Sequence, residues 1–316
     1  MVTWDEFEKV SRADWLKKAD LDLKGPKRAE DLLFDTGDGI RCTPFLTNED
    51  HIISSPIQRS VTKAGVAISG KGKMANKKAL KMLSYGAEAL CFEITEDVEF
   101  DILFEDIYLD MITVWLNLKE NSAIIQQKLN DYTNKLYKGR STSLFLVTSS
   151  ENINESIRLT YEQSFVERFT KLKKYFSDNS SLLSFTTCVI VVDLKKDFLG
   201  QIAELRAIRK LCEQMKDLRS GSGSEVILIG VIHPDVFKGS EIHPLIASNY
   251  LILSSYLGMC DFCFGLPFDE DEESARLSLN IQHIFKKESR IGFVTDPTAG
   301  SYIIEKLTGE FLHLSD

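Results

Sequence analysis

From residue 64 to its C-terminal end, the chain alternates short apolar runs with longer segments of helical periodicity. The runs are rich in β-branched and aromatic residues, which predicts strands at 65–69, 89–94, 112–118, 141–148, 185–193, 225–232, 261–266 and 291–296. Apolar residues at helical spacing predict helices over 75–85, 97–107, 121–137, 152–177, 198–217, 243–259, 271–289 and 301–314. Ser122 and Asp197 are expected to cap two of these helices. Strands and helices in this alternation, eight of each, predict an α/β fold, a (β/α)8 TIM barrel, with a doubly wound open sheet as the alternative.

The first sixty residues do not share this rhythm, so we expect an N-terminal arm over 1–60 and a barrel over 61–316. The arm begins with a predicted helix and continues as a stretch with several proline and glycine residues. The helix carries the apolar residues Trp4, Phe7, Val10, Trp15 and Leu16. An arm of this kind packs either on its own barrel or on a partner chain, and aromatic residues are enriched at partner surfaces.

Charge and hydropathy exclude several classes of protein. The net charge of −9 argues against nucleic acid and against an anionic membrane surface as partners, because both attract clustered lysine and arginine. The sequence contains no apolar stretch of membrane-spanning length, and the opening MVTWDEFEKV is too acidic for a signal peptide. We therefore expect a cytoplasmic protein.

Cysteine and histidine spacing predicts no metal site. The six cysteines lie mostly within apolar runs, which favours reduced residues of the core. Cys260 and Cys263 have CxxC spacing, but no second pair or nearby histidine completes a zinc site. The five histidines are scattered along the chain without HxH or HxxxH spacing.

Two segments are weak candidates for ligand binding. The loop Ser69–Lys78, SGKGKMANKK, follows a strand and precedes a helix, as a phosphate-binding loop does. It lacks the full P-loop spacing, so a solvated loop is the favoured interpretation. His233 follows the run 225–232, where barrels place catalytic groups, although a structural histidine is favoured there too. The acidic run Pro267–Ser274 suits the positive end of a helix dipole and requires no metal.

Near the C-terminal end, the stretch FVTDPTAGSYIIEKLT turns from an apolar run into a helix. Asp296-Pro297 stops the preceding run, Gly300 permits unusual backbone angles, and Ser301 is placed to cap a helix from Tyr302. We interpret it as the eighth strand-to-helix turn of the barrel.

Several stretches together resemble one family. LFDTGDGIRCTPFLTNED (33–50), ANKKALKMLSYGAEALCFEI (75–94), FLGQIAELRAIRKLCEQM (198–215), SARLSLNIQHIFKKES (274–289) and the C-terminal turn resemble, in order, segments of the adenosylcobalamin-dependent methylmalonyl-CoA mutases. The resemblance is strongest to the small subunit of the heterodimeric bacterial form. It implies a (β/α)8 barrel with an N-terminal extension, followed in the family by a separate cobalamin-binding domain. In the catalytic subunit of such enzymes, coenzyme A threads the barrel axis, and an adenosyl radical initiates exchange between methylmalonyl-CoA and succinyl-CoA.

Departures from the family pattern suggest that this barrel is catalytically silent. The RQYAGF segment is absent, Glu204 stands where the family has lysine, and the helix with Asn249 lacks the arginine of the family's N-x-x-R. No Asp-x-His-x-x-Gly segment supplies a cobalt ligand; either the sequence is a piece of a longer protein or the gene product lacks the cobalamin domain.

We therefore expect no catalytic, cofactor-binding or metal-binding residues on this chain. The resemblance implies a non-catalytic component that stabilises a large catalytic mutase subunit as a heterodimer, with adenosylcobalamin bound by that partner. The alternative is a free-standing TIM-barrel enzyme that acts on a CoA ester or a phosphorylated metabolite through the SGKGK loop and His233. We also expect side chains, rather than an open channel, to fill the barrel interior.

Overall fold

The computed structural model describes residues 10–36, 40–50, 56–57, 61–95, 97–118, 123–138, 142–148, 156–178, 187–217, 225–239, 242–267, 269 and 271–313. Within them, eight strands form one parallel sheet. The strands are β1 (Lys63–Ile68), β2 (Ala89–Ile94), β3 (Thr113–Leu118), β4 (Leu144–Thr148), β5 (Ser156–Leu159), β6 (Cys188–Leu194), β7 (Val226–Ile232) and β8 (Phe262–Gly265).

Nine α-helices are described, and those that lie between consecutive strands cover the outside of the sheet. They are α1 (Arg12–Asp22), α2 (Gly72–Ser84), α3 (Phe100–Leu103), α4 (Ala123–Tyr137), α5 (Phe165–Asp178), α6 (Phe198–Asp217), α7 (Pro244–Leu257), α8 (Glu272–His283) and α9 (Tyr302–His313). The helix α8 continues as a π-helical turn over Ile284–Glu288. Asp197 accepts a hydrogen bond from the backbone N–H of Gly200 at 3.1 Å, so it caps α6 as predicted, whereas Ser122 lies outside the described residues.

The sheet closes into a barrel because β8 pairs with β1, with Phe262 opposite Lys63 and Gly265 opposite Val66. The order around the barrel is β4-β3-β2-β1-β8-β7-β6-β5, so strands adjacent in space are consecutive in the chain except at the junction of β1 with β8. The ladders described join every neighbouring pair except β4 and β5, a line that we call the β4–β5 gap. This nearly closed ring of parallel strands confirms the predicted (β/α)8 TIM barrel and excludes the doubly wound sheet.

Two predicted elements were wrong, one in the middle of the chain and one near its C-terminal end. β5 lies within the range 152–177 that was predicted as one helix, and only α5 of that range is helical. At 291–296, where the eighth strand was predicted, Ile291–Phe293 forms a 3-10 turn instead. The number of strands was therefore correct although one strand was missed and one was misplaced. The predicted helix over 97–107 is also reduced to the single turn of α3.

Side chains fill the interior of the barrel. Inward-facing residues of the strands form a cluster separate from the two clusters that pack the sheet against the helices. Trp115 stacks on Phe145 with ring centroids 4.5 Å apart, and its edge meets Phe262 at 5.3 Å. Phe264 continues this aromatic column, stacked on Phe262 at 6.3 Å. We call these four residues the aromatic plug; they agree with the prediction of a filled interior.

The N-terminal arm contains α1 and a short antiparallel pair, Phe34–Asp35 with Arg41–Cys42. Ser11 and Asp14 form a reciprocal capping box that starts α1, yet none of the helix's residues is buried. Trp15 stacks on Phe45 at 4.7 Å, while Val10 and Leu21 are 63% and 66% exposed. Trp4 and Phe7 lie outside the described residues.

Among the helices described, none is long and apolar enough to cross a membrane.

Candidate functional site

The C-terminal ends of the barrel strands form a polar rim above the aromatic plug. The Arg158 side chain, from β5, donates to Asp193 Oδ1 of β6 at 2.7 Å, and the Tyr161 backbone N–H donates to Oδ2 at 3.2 Å. Asp193 is almost fully buried, so both of its oxygens are engaged inside the protein. The sequence did not predict Arg158 and Tyr161 because β5 was hidden in a predicted helix; the short run SIRL, residues 156–159, was the available signal.

Beneath this rim, Cys91 projects from β2 into the barrel. Burial raises the pKa of its thiol to about 12, although nearby Arg158 opposes the shift. A thiol held protonated in this way is a poor nucleophile. Cys91 therefore contributes packing rather than covalent chemistry, in agreement with the predicted role of the cysteines as reduced core residues.

His233 lies at the same rim, directly after β7. Its ring stacks on Tyr161 with centroids 5.4 Å apart and an interplanar angle of 7°. Its Nδ1 accepts the backbone N–H of Asp235 at 3.3 Å, so the ring caps the short 3-10 turn Pro234–Phe237. Glu162 and Asp235 each place a carboxylate oxygen beside the ring, within 4.8 Å of the histidine nitrogen and of one another. The histidine has the structural role that was favoured, but it also has acidic neighbours.

The SGKGK loop lies between β1 and α2, and Gly70 and Gly72 both have positive φ angles. A cavity of about 440 Å³ separates this loop from β2 and α3. Lys71 and Lys73 line the cavity together with four acidic residues, Glu93, Asp97, Glu99 and Glu105. Lys71 is paired with Asp97 at 3.1 Å, so one lysine is already neutralised. A phosphate would meet more carboxylates than ammonium groups here, which agrees with the favoured interpretation of a solvated loop.

A larger cavity, about 820 Å³, lies between α2 and α8 outside the barrel. Its floor is apolar, with Val66, Ile68 and Met82 among the lining residues. The acidic run Pro267–Ser274 contributes Asp269, Asp271 and Glu272 to its rim, opposite lysines of α2. Asp271 also accepts the Ser274 N–H at 2.7 Å and so caps α8. The acidic run therefore serves the helix N-terminus, as predicted.

Glu204 does not reach the rim. It is fully buried on α6, where Arg168 of α5 donates to both of its carboxylate oxygens at 3.1 and 2.9 Å. Burial raises the pKa of the Glu204 carboxyl above its ordinary value, and the paired guanidinium opposes that shift. Our use of Glu204 as a sign of a dismantled substrate site was therefore wrong, because the residue joins two helices instead of facing a ligand.

The C-terminal turn holds a second buried ion network. Arg206 of α6 is fully buried and pairs with Asp296 at 2.5 Å and with Glu305 of α9 at 2.9 Å. Asp296 also accepts the backbone N–H of Ile57 at 3.0 Å, which connects the arm to the turn. The turn is not the eighth strand-to-helix turn that was predicted, because no strand precedes it. Gly300 does adopt a positive φ of 80°, and α9 begins at Tyr302 as expected.

Comparison with known proteins identifies the relatives of this chain. A family model described as methylmalonyl-CoA mutase matches residues 183–314. The methylmalonyl-CoA mutase small subunit of Porphyromonas gingivalis is 22% identical over 96% of this chain, which spans 61% of that relative's length. The 2-hydroxyisobutanoyl-CoA mutase large subunit of Aquincola tertiaricarbonis is 26% identical over 36% of this chain and 22% of its own length.

Among solved structures, Yersinia pestis DHPS aligns at a TM-score of 0.40 and 12% identity over 72% of this chain and 95% of that chain, too distant to support an argument. The family model covers α6 to α9, where the buried Arg206 network lies. The small subunit covers nearly the whole barrel and arm. The similarity expected from the sequence motifs is confirmed: this chain is similar to the methylmalonyl-CoA mutases.

Proposed function

We propose that this chain is a non-catalytic, small-subunit-like component of an adenosylcobalamin-dependent methylmalonyl-CoA mutase, and that it stabilises a large catalytic subunit. The observation that carries the proposal is the aromatic plug. A coenzyme A thioester that threads a barrel needs a continuous passage along the axis, and Trp115, Phe145 and Phe262 occupy that axis in mutual contact.

The arm supports a structural role in a complex. An eleven-residue helix is marginal in water unless one of its faces is packed, yet none of the residues of α1 is buried. Its apolar side chains Leu16 and Leu21 remain exposed, as do Val10 before it and Leu33 and Phe34 of the following segment. We expect the large subunit to cover this surface, so that the two chains form a heterodimer in the cytoplasm.

Adenosylcobalamin supplies the radical chemistry of the family's reaction, and the described part of this chain does not fit it. Cobalt coordination requires a histidine nitrogen that is free to bind. In the family that histidine stands in an Asp-x-His-x-x-Gly segment, and none of the five histidines of this chain does. We therefore assign the cofactor to the partner chain and derive no catalytic step for the barrel described here.

Two measurements test this proposal. Isothermal titration of the isolated chain with methylmalonyl-CoA and succinyl-CoA should give no heat of binding, and the isolated chain with added adenosylcobalamin should show no turnover. The chain mixed with the large subunit should co-purify with it, and the complex should be active. Micromolar binding of a CoA ester by the isolated chain, or turnover without the partner, would refute the non-catalytic role.

The second candidate function is a free-standing enzyme that acts on a CoA ester or phosphorylated metabolite. The observation in its favour is the 440 Å³ cavity beside the SGKGK loop, since Lys71 and Lys73 line it at the C-terminal end of the barrel. Replacement of Lys73 by methionine separates the two candidates. It should weaken binding of a phosphorylated ligand in the enzyme hypothesis and should leave partner binding unchanged in the subunit hypothesis.

A further inference from the structure

Glu162, His233 and Asp235 converge at the C-terminal mouth of the barrel although they come from two different strand ends. Glu162 follows β5 and the other two follow β7. One ligand atom from each residue lies within 4.8 Å of the corresponding atoms of the other two. We propose that these three side chains form a binding site for a divalent transition-metal ion of the Zn²⁺ class.

The imidazole is positioned for this role by two contacts. Stacking on Tyr161 with an interplanar angle of 7° fixes the plane of the ring. Because Nδ1 accepts the Asp235 backbone N–H, the neutral ring carries its proton on Nε2 and keeps its lone pair on Nδ1. That nitrogen lies 3.9 Å from Asp235 Oδ2. A metal ion would replace the 3.3 Å hydrogen bond to Nδ1, which is long and correspondingly weak.

Asp235 is oriented by a partner outside the cluster. Lys238 Nζ lies 2.5 Å from Oδ1, which leaves Oδ2 as the oxygen that faces the imidazole. Lys238 thus has the role of the outer hydrogen-bond partners that orient the ligands of protein metal sites.

Distances and ligand types favour the Zn²⁺ class over Mg²⁺ or Ca²⁺. Zinc–oxygen and zinc–nitrogen bonds of about 2.0–2.1 Å place tetrahedral ligands about 3.4 Å apart. The ligand atoms lie within 4.8 Å of one another, and Glu162 is exposed, so its side chain can rotate toward the other two ligands. One imidazole with two carboxylates suits borderline ions, whereas Mg²⁺ and Ca²⁺ prefer oxygen ligands alone. Three protein ligands leave a fourth position open to water at the mouth of the barrel.

Cobalt(II) is a suitable probe, because Co²⁺ absorbs visible light through d–d transitions when it occupies a Zn²⁺ site of low coordination number. The full chain, without a histidine tag, should develop these bands on titration with CoCl2, and ZnCl2 should abolish them. Glu162→Gln and His233→Asn should each lower the Co²⁺ affinity by about tenfold or more, and Lys238→Met by less. His313→Asn is the matched control, since His313 lies on α9 away from the cluster, and it should leave the titration unchanged.

Circular dichroism of each variant checks that the barrel is folded. Glu162→Gln keeps the shape of an exposed side chain, so it remains informative if His233→Asn is unstable. Zn²⁺ should also raise the thermal midpoint of the wild-type chain and leave that of Glu162→Gln unchanged. Absence of d–d bands in the wild-type chain, or bands of equal affinity in Glu162→Gln, would overturn the proposal.

Discussion

Replacement of Arg206 by methionine tests whether the motif at the C-terminal turn is retained for stability. The guanidinium is fully buried and donates to Asp296, Thr298 and Glu305. The variant Arg206→Met keeps most of the side-chain volume and removes the charge. We expect it to lower the free energy of unfolding strongly, because two carboxylates then remain in an interior that no longer compensates their charge.

The magnitude follows from the burial of the partners. Asp296 and Glu305 side chains are only 2% and 1% exposed, so neither charge regains water when Arg206 is lost. Removing one partner of such a buried pair costs about 3–5 kcal/mol. Lys210 stays 3.1 Å from Glu305 and keeps that carboxylate paired, so the cost falls mainly on Asp296. We therefore expect a loss of about 3 kcal/mol, the lower end of that range.

The pH dependence has a defined sign. Burial alone would raise the pKa of the Asp296 carboxyl, but hydrogen bonds from Arg206 and from the Ile57 N–H outweigh it and lower the pKa below its ordinary value. A carboxyl with a lowered pKa in the folded state stabilises the fold above its unfolded pKa, and this contribution is lost as the pH falls through the folded value. The stability difference between the wild-type chain and Asp296→Asn should therefore shrink on acidification below about pH 4.

Urea unfolding followed by far-ultraviolet circular dichroism measures both effects. The control is Lys286→Met, which breaks the pair of Lys286 with Glu88 at 2.6 Å; these side chains are 25% and 38% exposed. A partly exposed pair of this kind contributes about 0–1 kcal/mol. If Arg206→Met were no more destabilising than Lys286→Met, the network would not be what stabilises the C-terminal turn, and our interpretation of the motif would fail.

Three further predictions concern the arm, the plug and the packing of glycine. Deletion of residues 1–25 should leave the circular dichroism of the barrel unchanged but reduce co-purification with the large subunit. The reason is that each aromatic anchor buried at an interface contributes about 2 kcal/mol or more. Equal recovery of the full-length and truncated chains would argue against a role of the arm in binding the partner. Trp115→Ala should cost about 3–5 kcal/mol in urea unfolding, because the residue is 1% exposed within the plug. Gly265→Ala should lower the free energy of unfolding by about 1–3 kcal/mol, because its new Cβ would lie 2.1 Å from Ser278 Oγ. Gly309→Ala on α9 is the opposite case: its Cβ meets no atom within 4 Å, so the substitution should raise the free energy of unfolding by about 0.5–1 kcal/mol.

Hydrophobic periodicity was sufficient to predict the barrel and most of its strands. Strand β7 is a continuous run without a polar side chain, because parallel strands in a barrel are buried on both faces. β5 is a strand of only four residues, and Arg158 interrupts its apolar pattern. A charged residue is tolerated there because Asp193 on the next strand pairs with it, a contact that no local pattern reveals.

The opposite error occurred at the C-terminal end. Ile291, Phe293 and Val294 have the composition of a strand, but Phe293 and Val294 are 78% and 59% exposed and lie outside the sheet. The barrel was already closed by the pairing of β8 with β1, so no position remained for another strand. Closure is a property of the whole sheet and cannot be read from one segment.

Predictions about the site depended on contacts between distant residues. His233 was recognised because it follows a strand, whereas its neighbour Glu162 comes from the loop after the missed β5. Glu204 was misinterpreted since its partner Arg168 lies 36 residues away on another helix. Sequence comparison identifies a changed residue, but only packing shows whether that residue faces a ligand or another helix.

The β4–β5 gap gives the barrel a mechanical property that a fully closed ring lacks. Within the described ladders, β4 is bonded only to β3 and β5 only to β6, so separating the two strands breaks no strand–strand hydrogen bond. The gap lies diametrically opposite the junction of β8 with β1. We therefore expect the described part of the cylinder to behave as a split ring, whose diameter can widen or narrow to follow the side chains inside it.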